Sequence, residues 1–266
     1  MYALNYHRAG SVAEAASALS GAADGKFVAG GQTLIPTMKQ RLASPSDLVD
    51  LTKIPGLAGI EVSGDTVTIG ATTRHYDVAS SAAVKQAIPA LADLAAGIGD
   101  PAVRYQGTIG GSLANNDPAA DYPAAVLGLG ATVVTNKRRL AAADYFHGLF
   151  TTALEDDEII TAVSFPVPAK AAYVKFPNPA SRFAMTGVFV AKLKDGSVRV
   201  AVTGAGDGGV FRAAAIEAAL TADWSPEAAG SVAVSPNGLL ADIHGSADYR
   251  ANLISVGAKR AVAAAA

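Results

Sequence analysis

Cysteine is absent from all 266 residues of the chain. That absence excludes disulfides, thiolate-bound zinc, a cysteine nucleophile and iron–sulfur clusters held by the chain itself, so any iron–sulfur chemistry would need a partner. No run of about 18 uncharged apolar residues is present, and the N-terminal segment lacks a basic stretch followed by an apolar one. The sequence therefore predicts a cytoplasmic protein with no transmembrane segment.

An excess of charge of one sign is also lacking, because 21 basic residues face 23 acidic ones. A formal net charge of −2 gives no general attraction to nucleic acid or to anionic membranes, and nucleic-acid binding is not expected. Aromatic residues make up only 6% of the chain, while half of its residues are hydrophobic. This composition is typical of a compact protein whose interior is built from small side chains.

Sequence patterns for metal binding and for a hydrolase triad are absent as well. The four histidines, His7, His75, His147 and His244, are dispersed without an H-x-x-x-H spacing, and we expect them to be surface or structural residues. No G-x-S-x-G segment is present, so a nucleophilic serine lacks support. The sequence thus predicts no metal site.

Alternating apolar runs and turn residues predict a mixed organisation of helices and strands. A helix is expected over 11–20, short strands within 57–73, and an antiparallel hairpin over 185–206 around a Lys-Asp-Gly turn. Residues 100–121 resemble a long, polar, glycine-containing loop, which is uncommon in a compact domain unless it binds a ligand. The prolines within 166–168 mark a candidate domain boundary.

The segment GAGDGG, residues 204–209, matches the G-x-G-x-x-G fingerprint of dinucleotide-binding sites, with Asp223 at a suitable distance after it. A Rossmann unit needs parallel strands, however, and the strand before Gly204 pairs best as the second arm of an antiparallel hairpin. Too little chain follows Gly209 to complete such a unit. The context favours a strand-to-helix turn that requires glycine.

Two glycine doublets, Gly30-Gly31 and Gly110-Gly111, stand beside side chains with a hydroxyl or amide group, and neither has the Lys-Ser/Thr ending of a Walker loop. The polar neighbours are Gln32, Thr33, Thr108 and Ser112. Backbone N–H groups exposed by glycine can bind a pyrophosphate without cationic side chains. A glycine pair is also an ordinary turn signal, so both interpretations stay open at this point.

Asp117 and Asp121 in the segment NNDPAAD admit three interpretations. They could be a pair of metal-binding or catalytic carboxylates, a turn residue or helix cap with a first-turn acid, or acceptors for the hydroxyl groups of a ribose or ribityl chain. The Asp-Pro step and the spacing favour the turn or cap over the metal. The third interpretation fits a loop that also holds a phosphate.

Three segments, 29–57, 98–134 and 154–166, resemble the medium, FAD-binding subunit of the molybdenum hydroxylases, the family that includes carbon monoxide dehydrogenase and xanthine dehydrogenase. The feature specific to this family is the presence of both glycine doublets in this order, because either doublet alone would not identify the family. Gln32 stands where many relatives similar to carbon monoxide dehydrogenase carry His, and Thr33 stands where they carry Ser.

The resemblance implies an α+β fold of the vanillyl-alcohol-oxidase-like, PCMH-type FAD-binding class. Two α/β subdomains, residues 1–54 and 55–168, would bind FAD between them. Residues 169–266 would form a C-terminal domain of antiparallel strands and helices. The resemblance implies that FAD is bound non-covalently, and the absence of cysteine rules out attachment through a cysteine.

The resemblance also implies which residues contact FAD. Those expected on one side of the pyrophosphate and ribityl chain are Val28, Ala29, Gly30, Gly31, Gln32, Thr33 and Leu34. Those expected on the other side are Thr108, Gly110, Gly111 and Ser112. The remaining expected contacts are Asp117 and Asp121 with cofactor hydroxyls, Ile98 and Ile160 with flat rings, and Lys175 and Phe183 beside the isoalloxazine.

By the same resemblance, the chain is the electron-transfer subunit of a three-part oxidoreductase. A large subunit with a molybdenum–pterin cofactor would oxidise the substrate, and a small subunit with two two-iron two-sulfur clusters would pass electrons to this chain, which would hand them to an external acceptor. A dimer of such heterotrimers, a heterohexamer, is expected. No side chain of this chain is expected to act on the organic substrate. The alternatives are a stand-alone flavin oxidase of the same fold and a scaffold that has lost FAD.

Overall fold

The structure of the protein is a computed structural model that describes residues 1–265. Its N-terminal sheet consists of β1 (Asn5–Arg8), β2 (Gly25–Val28) and β3 (Asp47–Asp50). Both pairings are parallel, and β3 lies in the centre. Helix α1 (Val12–Ser20) connects β1 with β2, and α2 (Leu34–Lys39) follows β2.

Helix α1 begins where the sequence predicts. The Ser11 hydroxyl accepts a hydrogen bond from the backbone N–H of Glu14 at 3.1 Å, and the Glu14 carboxylate accepts one from the N–H of Gly10 at 2.7 Å. These bonds satisfy donors that the start of a helix otherwise leaves unpaired. After β2 the chain turns through Gly30 and Gly31 into α2, so the first glycine doublet stands at the carboxyl end of a parallel strand.

The second sheet is antiparallel and is built from residues 60–166. The strands of this segment are β4 (Ile60–Ser63), β5 (Thr66–Gly70), β6 (Thr132–Thr135), β7 (Arg139–Ala141), β8 (Phe146–Gly148), β9 (Thr151–Thr152) and β10 (Ile160–Pro166). The sheet order is β4-β5-β10-β6-β7, and β8 pairs with β9 separately; a short 3-10 helix (Ala142–Asp144) follows β7. The hairpin β4–β5 confirms the strands predicted within 57–73.

Six helices accompany this sheet. They are α3 (His75–Ser80), α4 (Ala82–Ala87), α5 (Pro89–Ala96), α6 (Pro101–Arg104), α7 (Ile109–Asn115) and α8 (Tyr122–Leu129). Because α6 and α7 lie inside 100–121, the prediction of a loop there is wrong. Side-chain caps explain the difference: Asp100 accepts a hydrogen bond from the N–H of Val103 at 3.0 Å, and Thr108 accepts one from the N–H of Gly111 at 3.2 Å.

The third sheet is antiparallel throughout. Its strands, in spatial order, are β11 (Lys170–Pro177), β12 (Ala184–Lys192), β13 (Val198–Thr203) and β14 (Phe211–Arg212). The helices of this part of the chain are α9 (Ala214–Ala222), α10 (Pro226–Gly230) and α11 (Ala247–Ala264). The pair β12–β13 confirms the predicted hairpin. Among residues 1–265, no helix combines the length and the apolar character needed to cross a membrane.

The antiparallel pairing of β13 confirms that the segment 204–209 is a turn and not a Rossmann fingerprint. Gly204 has a φ of +80°, and a Cβ placed on it would lie 2.3 Å from the carbonyl oxygen of Ala184. Glycine is therefore required both by the backbone conformation and by the close approach of the neighbouring chain. The turn leads into β14 before the chain enters α9.

Helix α8 lies at the centre of the molecule. All of its residues, Tyr122–Leu129, are buried, and it packs against β10 of the second sheet and against β12 and β13 of the third. Gly128 allows the close approach, since a Cβ there would lie 2.9 Å from the ring of Phe189. Phe165 and Phe189 belong to one continuous hydrophobic core. The division of the chain into domains near residue 168 stays a prediction.

Candidate functional site

A cavity of about 880 Å³ opens between the first glycine loop (residues 28–34) and the second glycine loop (residues 107–112). Lys175 of β11 and residues 180–183 supply a further part of its wall. The lining includes every residue that the resemblance assigns to the cofactor, namely Val28, Ala29, Gly30, Gly31, Gln32, Thr33, Leu34, Ile98, Thr108, Gly110, Gly111, Ser112, Asp117, Asp121, Ile160, Lys175 and Phe183. The fold thus gathers these positions around one space.

The two glycine loops meet at Gly30. A Cβ placed on Gly30 would lie 2.3 Å from the carbonyl oxygen of Gln106 and 2.6 Å from the Cα of Gly107. Gly31 has a φ of +67°, in the left-handed region that side chains disfavour. Gly30 therefore permits the contact between the loops, and Gly31 permits the turn into α2.

The first glycine loop offers backbone donors to the cavity. Within residues 1–265, the backbone N–H groups of residues 30–33 donate no hydrogen bond. The side chain of Gln32 folds back, so that its Nε2 donates to the carbonyl oxygen of Gly30 at 3.1 Å and stabilises the loop itself. Successive unpaired N–H groups around a left-handed turn are suited to bind an anion.

The backbone N–H groups of residues 109–112 in the second glycine loop donate hydrogen bonds to acceptors within the protein. The donor and acceptor pairs are Ile109 N with Thr73 O at 3.1 Å, Gly110 N with Ala71 O at 2.8 Å, Gly111 N with Thr108 Oγ1 at 3.2 Å, and Ser112 N with Thr108 O at 3.0 Å. For this loop, the interpretation in which glycine exposes backbone donors to a pyrophosphate therefore does not hold. Its polar side chains in the cavity wall are the hydroxyls of Thr108 and Ser112.

The two glycines of the second doublet serve different purposes. A Cβ placed on Gly110 would lie 2.6 Å from the Cβ and 2.8 Å from the carbonyl oxygen of Ala71, so Gly110 is needed for packing against the chain after β5. A Cβ on Gly111 would meet only the Thr108 hydroxyl, at 2.9 Å. Gly111 therefore keeps part of the cavity wall free of a side chain, which lets a ligand approach the backbone closely.

Asp121, at the start of α8, is held by two side chains of β11. Its Oδ1 accepts a hydrogen bond from Tyr173 Oη at 2.6 Å, and its Oδ2 accepts one from Lys175 Nζ at 2.9 Å. Lys175 also donates to the carbonyl oxygen of Gly97 at 3.0 Å, and the Asp121 carboxylate makes no capping bond to α8. Burial raises the pKa of Asp121, while the Lys175 charge and the Tyr173 hydroxyl act in the opposite direction.

Tyr173 is a residue of this cluster that the sequence does not reveal. Gly187 on β12 makes room for it, because a Cβ placed there would lie 2.2 Å from Tyr173 Oη. Tyr173 and Lys175 are two residues apart on β11 and so share one face of the strand. That spacing is the signal that could have found Tyr173, but it becomes visible only when residues 170–177 are recognised as a strand.

Asp117 forms a turn with the proline that follows it. Its Oδ1 accepts a hydrogen bond from the N–H of Ala119 at 2.9 Å, which confirms the turn interpretation of the Asp-Pro step. Within the described chain, residues 1–265, no group of three or more His, Asp or Glu side chains is placed to hold a metal ion. The contact of Asp117 with a cofactor hydroxyl stays a prediction.

Three apolar side chains complete the predicted set. Ile160 is buried at the start of β10, and Ile98 is half-buried after α5. Phe183 lies just before β12 with 50% of its surface exposed. An aromatic ring that is half exposed at a cavity can pack against a flat ligand without any rearrangement of the core.

Glu158 lines the cavity as well, and the sequence gives no sign of it. Arg138 donates to both carboxylate oxygens, from Nε to Oε1 at 3.0 Å and from Nη2 to Oε2 at 2.8 Å. Thr135 Oγ1 donates to Oε1 at 2.6 Å, and the N–H of Glu155 donates to Oε2 at 3.0 Å. The Arg138 fork is the largest of the effects that together lower the pKa of Glu158 to about 2.

This cluster leads us to expect a loss of stability in acid. The folded pKa of about 2 lies below the ordinary value of 4.5, so the stabilisation is complete above that value and disappears as the pH falls toward 2. Glu158→Gln should therefore lower the free energy of unfolding near pH 7 by up to about 3 kcal/mol, and its effect should shrink in acid. Urea unfolding curves recorded across this pH range measure it; an effect that is the same in acid would contradict the assignment.

His75 is the one histidine that the structure brings to the cavity wall among residues 1–265. It is the first residue of α3 and is only 5% exposed. His75 is therefore buried, in agreement with one of the two positions expected for it, and it also lines the cavity. A lone histidine at the start of a short helix carries no pattern from which this position could have been predicted.

Known proteins match this chain over nearly its whole length. A family model described as the FAD binding domain in molybdopterin dehydrogenase matches residues 2–168. The nicotine 6-hydroxylase medium subunit of Paenarthrobacter nicotinovorans is 37% identical, with 95% of this chain and 93% of that protein covered. The carbon monoxide dehydrogenase medium chain of Hydrogenophaga pseudoflava is 36% identical, with 98% of this chain and 96% of that protein covered.

A solved structure gives the same result at the level of the fold. Carbon monoxide dehydrogenase from Hydrogenophaga pseudoflava, in a form that lacks the Mo-pyranopterin moiety of the molybdenum cofactor, contains a chain that matches with a TM-score of 0.87 and 34% identity. The match covers 99% of this chain and 97% of that chain, which confirms the predicted α+β, PCMH-type FAD-binding fold. The chain therefore belongs to the FAD-binding medium subunits of the molybdenum hydroxylases, a family of oxidoreductases.

Proposed function

We propose that this chain is the electron-transfer subunit of a molybdenum hydroxylase complex. It receives electrons from the iron–sulfur clusters of a small partner subunit and passes them to an external acceptor, while a large molybdopterin-binding subunit oxidises the substrate. Bound FAD supplies the group that carries the electrons. The complex is a dimer of these heterotrimers, and it resides in the cytoplasm.

The observation that supports this proposal is the meeting of both glycine loops in one cavity. A volume of about 880 Å³ lies within the range of cofactor sites. The donor set suits a pyrophosphate, since the N–H groups of residues 30–33 are unpaired among residues 1–265 and the hydroxyls of Thr108 and Ser112 lie across the cavity. At Gly111 an added Cβ would intrude on the wall. FAD therefore fits the residues that are present.

Each polar group of the cavity has a role in this proposal. The N–H groups of residues 30–33 hold the pyrophosphate, and the hydroxyls of Thr108 and Ser112 donate to it from the other wall. The Asp121 carboxylate, fixed by Tyr173 and Lys175, keeps lone pairs free to accept from a hydroxyl of the ribityl chain. Asp117 accepts from a second cofactor hydroxyl.

The apolar groups orient the flat parts of the cofactor. Ile98 and Ile160 pack on rings, and Phe183 covers the isoalloxazine, with Lys175 beside it. No acid or base of this chain is needed for the organic substrate, because that reaction belongs to another subunit. The names of the relatives agree with this division of roles. Two of them are named after nicotine and carbon monoxide, which are chemically unrelated molecules, as expected if the large subunit selects the substrate.

The experiment that tests the proposal separates the chain from its partners. The FAD-loaded chain is mixed anaerobically with the small iron–sulfur subunit, which has been reduced beforehand and freed of reductant. We expect the visible absorbance of oxidised flavin to disappear on mixing and to persist when the organic substrate alone is added.

Two outcomes would contradict it. Steady oxidation of an organic substrate by the chain alone would favour a stand-alone flavin oxidase of the same fold. A colourless chain that cannot be reconstituted with FAD would favour a scaffold without a cofactor. The coverage of medium subunits along nearly their whole length supports the proposed subunit over the stand-alone enzyme.

A further inference from the structure

The segment 117–121, between α7 and α8, faces the cavity on one side and the third sheet on the other. The residues of this segment that line the cavity are Asp117, Ala120 and Asp121. The carbonyl oxygen of Pro118 accepts a hydrogen bond from the N–H of Gly204 at 2.8 Å, and that of Ala119 accepts one from the N–H of Ala184 at 3.4 Å. The backbone that carries both carboxylates is therefore attached to the start of β12 and the end of β13.

Thr203, the last residue of β13, supplies a side chain to this attachment. It is fully buried, and its Oγ1 lies 2.7 Å from the carbonyl oxygen of Ala120 and 3.1 Å from that of Pro118. A hydroxyl has one proton to donate, so the shorter contact, with Ala120, is the main bond. Among residues 1–265, no backbone N–H donates to the carbonyl oxygen of Ala120. The Thr203 hydroxyl therefore holds the peptide group that joins Ala120 to Asp121.

The end of β13 is itself fixed by a buried arginine of α11. Nη1 of Arg250 donates to the carbonyl oxygen of Gly204 at 2.8 Å. Nη2 donates to both carboxylate oxygens of Asp242, at 2.9 and 2.8 Å, and Arg250 is only 3% exposed. Charge-assisted bonds of this kind are strong and define a geometry. Thr203 thus stands on a fixed support, from which it can determine where the segment 117–121 lies.

We propose that Thr203 is a positioning residue for FAD, an inference that rests on the proposed function. Its hydroxyl fixes the backbone at Asp121, while Tyr173 and Lys175 fix the carboxylate. Asp121 is then held at both ends, which directs its free lone pairs to the ribityl hydroxyl. Binding is stronger when the contacting group is ordered before the ligand arrives, because less freedom is lost on association.

The test compares two variants of the full chain after removal of FAD. Thr203→Val keeps the shape of the side chain but leaves the carbonyl oxygen of Ala120 without its donor. The dissociation constant for FAD should rise about tenfold, which corresponds to part of one hydrogen bond to a charged group. Thr203→Ser keeps the hydroxyl and loses only a methyl group, so its dissociation constant should stay close to that of the wild type. A fluorescence titration with FAD measures both.

The two variants control for a general loss of stability. Thr203→Val gives up one hydrogen bond and Thr203→Ser gives up one buried methyl group, and the costs of these losses are comparable. The thermal unfolding midpoints without FAD should therefore fall by similar amounts, while the affinities for FAD differ. If Thr203→Ser weakened FAD binding as much as Thr203→Val, the effect would come from packing and the assignment would be overturned.

ADP locates the part of the cofactor that is affected. It carries a pyrophosphate but no ribityl chain, so it cannot make the proposed bond with Asp121. Titration calorimetry should give the same dissociation constant for ADP with the wild type and with Thr203→Val. Equal losses for ADP and FAD would overturn the action of Thr203 through Asp121.

The failure of this inference differs from the failure of the proposed function. Wild-type chain that binds FAD, together with an unchanged dissociation constant for Thr203→Val, would overturn the role of Thr203 alone. Wild-type chain that cannot be reconstituted with FAD would overturn both.

Discussion

Gly30→Val is expected to abolish FAD binding. Its Cβ would lie 2.3 Å from the carbonyl oxygen of Gln106 and 2.6 Å from the Cα of Gly107. Both are backbone atoms that cannot rotate away, so the first and second glycine loops must move apart. The N–H groups of residues 30–33 then no longer face the hydroxyls of the second loop at the same spacing. A dissociation constant raised roughly 100-fold or more is expected.

The flavin content of purified protein and a fluorescence titration with FAD measure this effect. Gly208→Ala is the matched control, because a Cβ placed on Gly208 meets nothing within 4 Å and its φ lies outside the left-handed region. That variant should retain its flavin and its thermal unfolding midpoint. A Gly30→Val protein with normal flavin content would mean that the loops do not enclose a shared ligand.

Asp121→Ala is expected to lower the free energy of unfolding by about 3–5 kcal/mol. The Asp121 side chain is 4% exposed and that of Lys175 is 11% exposed, so their 2.9 Å ion pair is shielded from water. Without the carboxylate, the Lys175 ammonium keeps only the carbonyl oxygen of Gly97, and the Tyr173 hydroxyl loses its acceptor. The cost arises from leaving a charge and a donor poorly paired, which is larger than the net gain of forming the pair.

Urea unfolding of the protein without FAD measures this loss directly. The ion pair between Asp65 and Lys194 provides the control, since it is as short, at 2.6 Å, but its side chains are 74% and 49% exposed. Asp65→Ala should cost less than about 1 kcal/mol. If Asp121→Ala were as mild as Asp65→Ala, the Asp121 cluster could not be a rigid part of the cavity wall.

The glycine doublets could be recognised from the sequence because the local backbone, by its conformation or by its close approach to a neighbouring segment, favours glycine at such positions. The doublets, with the segments around them, were sufficient to identify the fold and to name residues that line one cavity. The bonds donated by the N–H groups of Ile109 and Gly110 could not be foreseen, because their acceptors Thr73 and Ala71 are distant in the chain and only the folded structure brings them there. The same holds for Glu158, whose partner Arg138 is 20 residues away in the chain.

Short elements and lone side chains explain the other differences. Helices α6 and α7 have too few turns to show a periodic pattern, so their glycine and polar residues resemble a loop. His75 has the same local sequence whether it lies in a cavity wall or in a core. Tyr173 is informative only as part of β11, a strand whose pairing with β12 is not apparent before the fold is known.

Residues 2–168, which match the family model, do not include everything that covers α8. Phe189 and Ala201 of the third sheet pack against Gly128, and without them an apolar helix face would be open to water and prone to self-association. The part of the chain by which the family is recognised is therefore smaller than the part that must fold together. Selection for a cofactor-binding site must act also on C-terminal residues, such as Phe189 and Ala201, that carry no motif and lie outside the cavity wall.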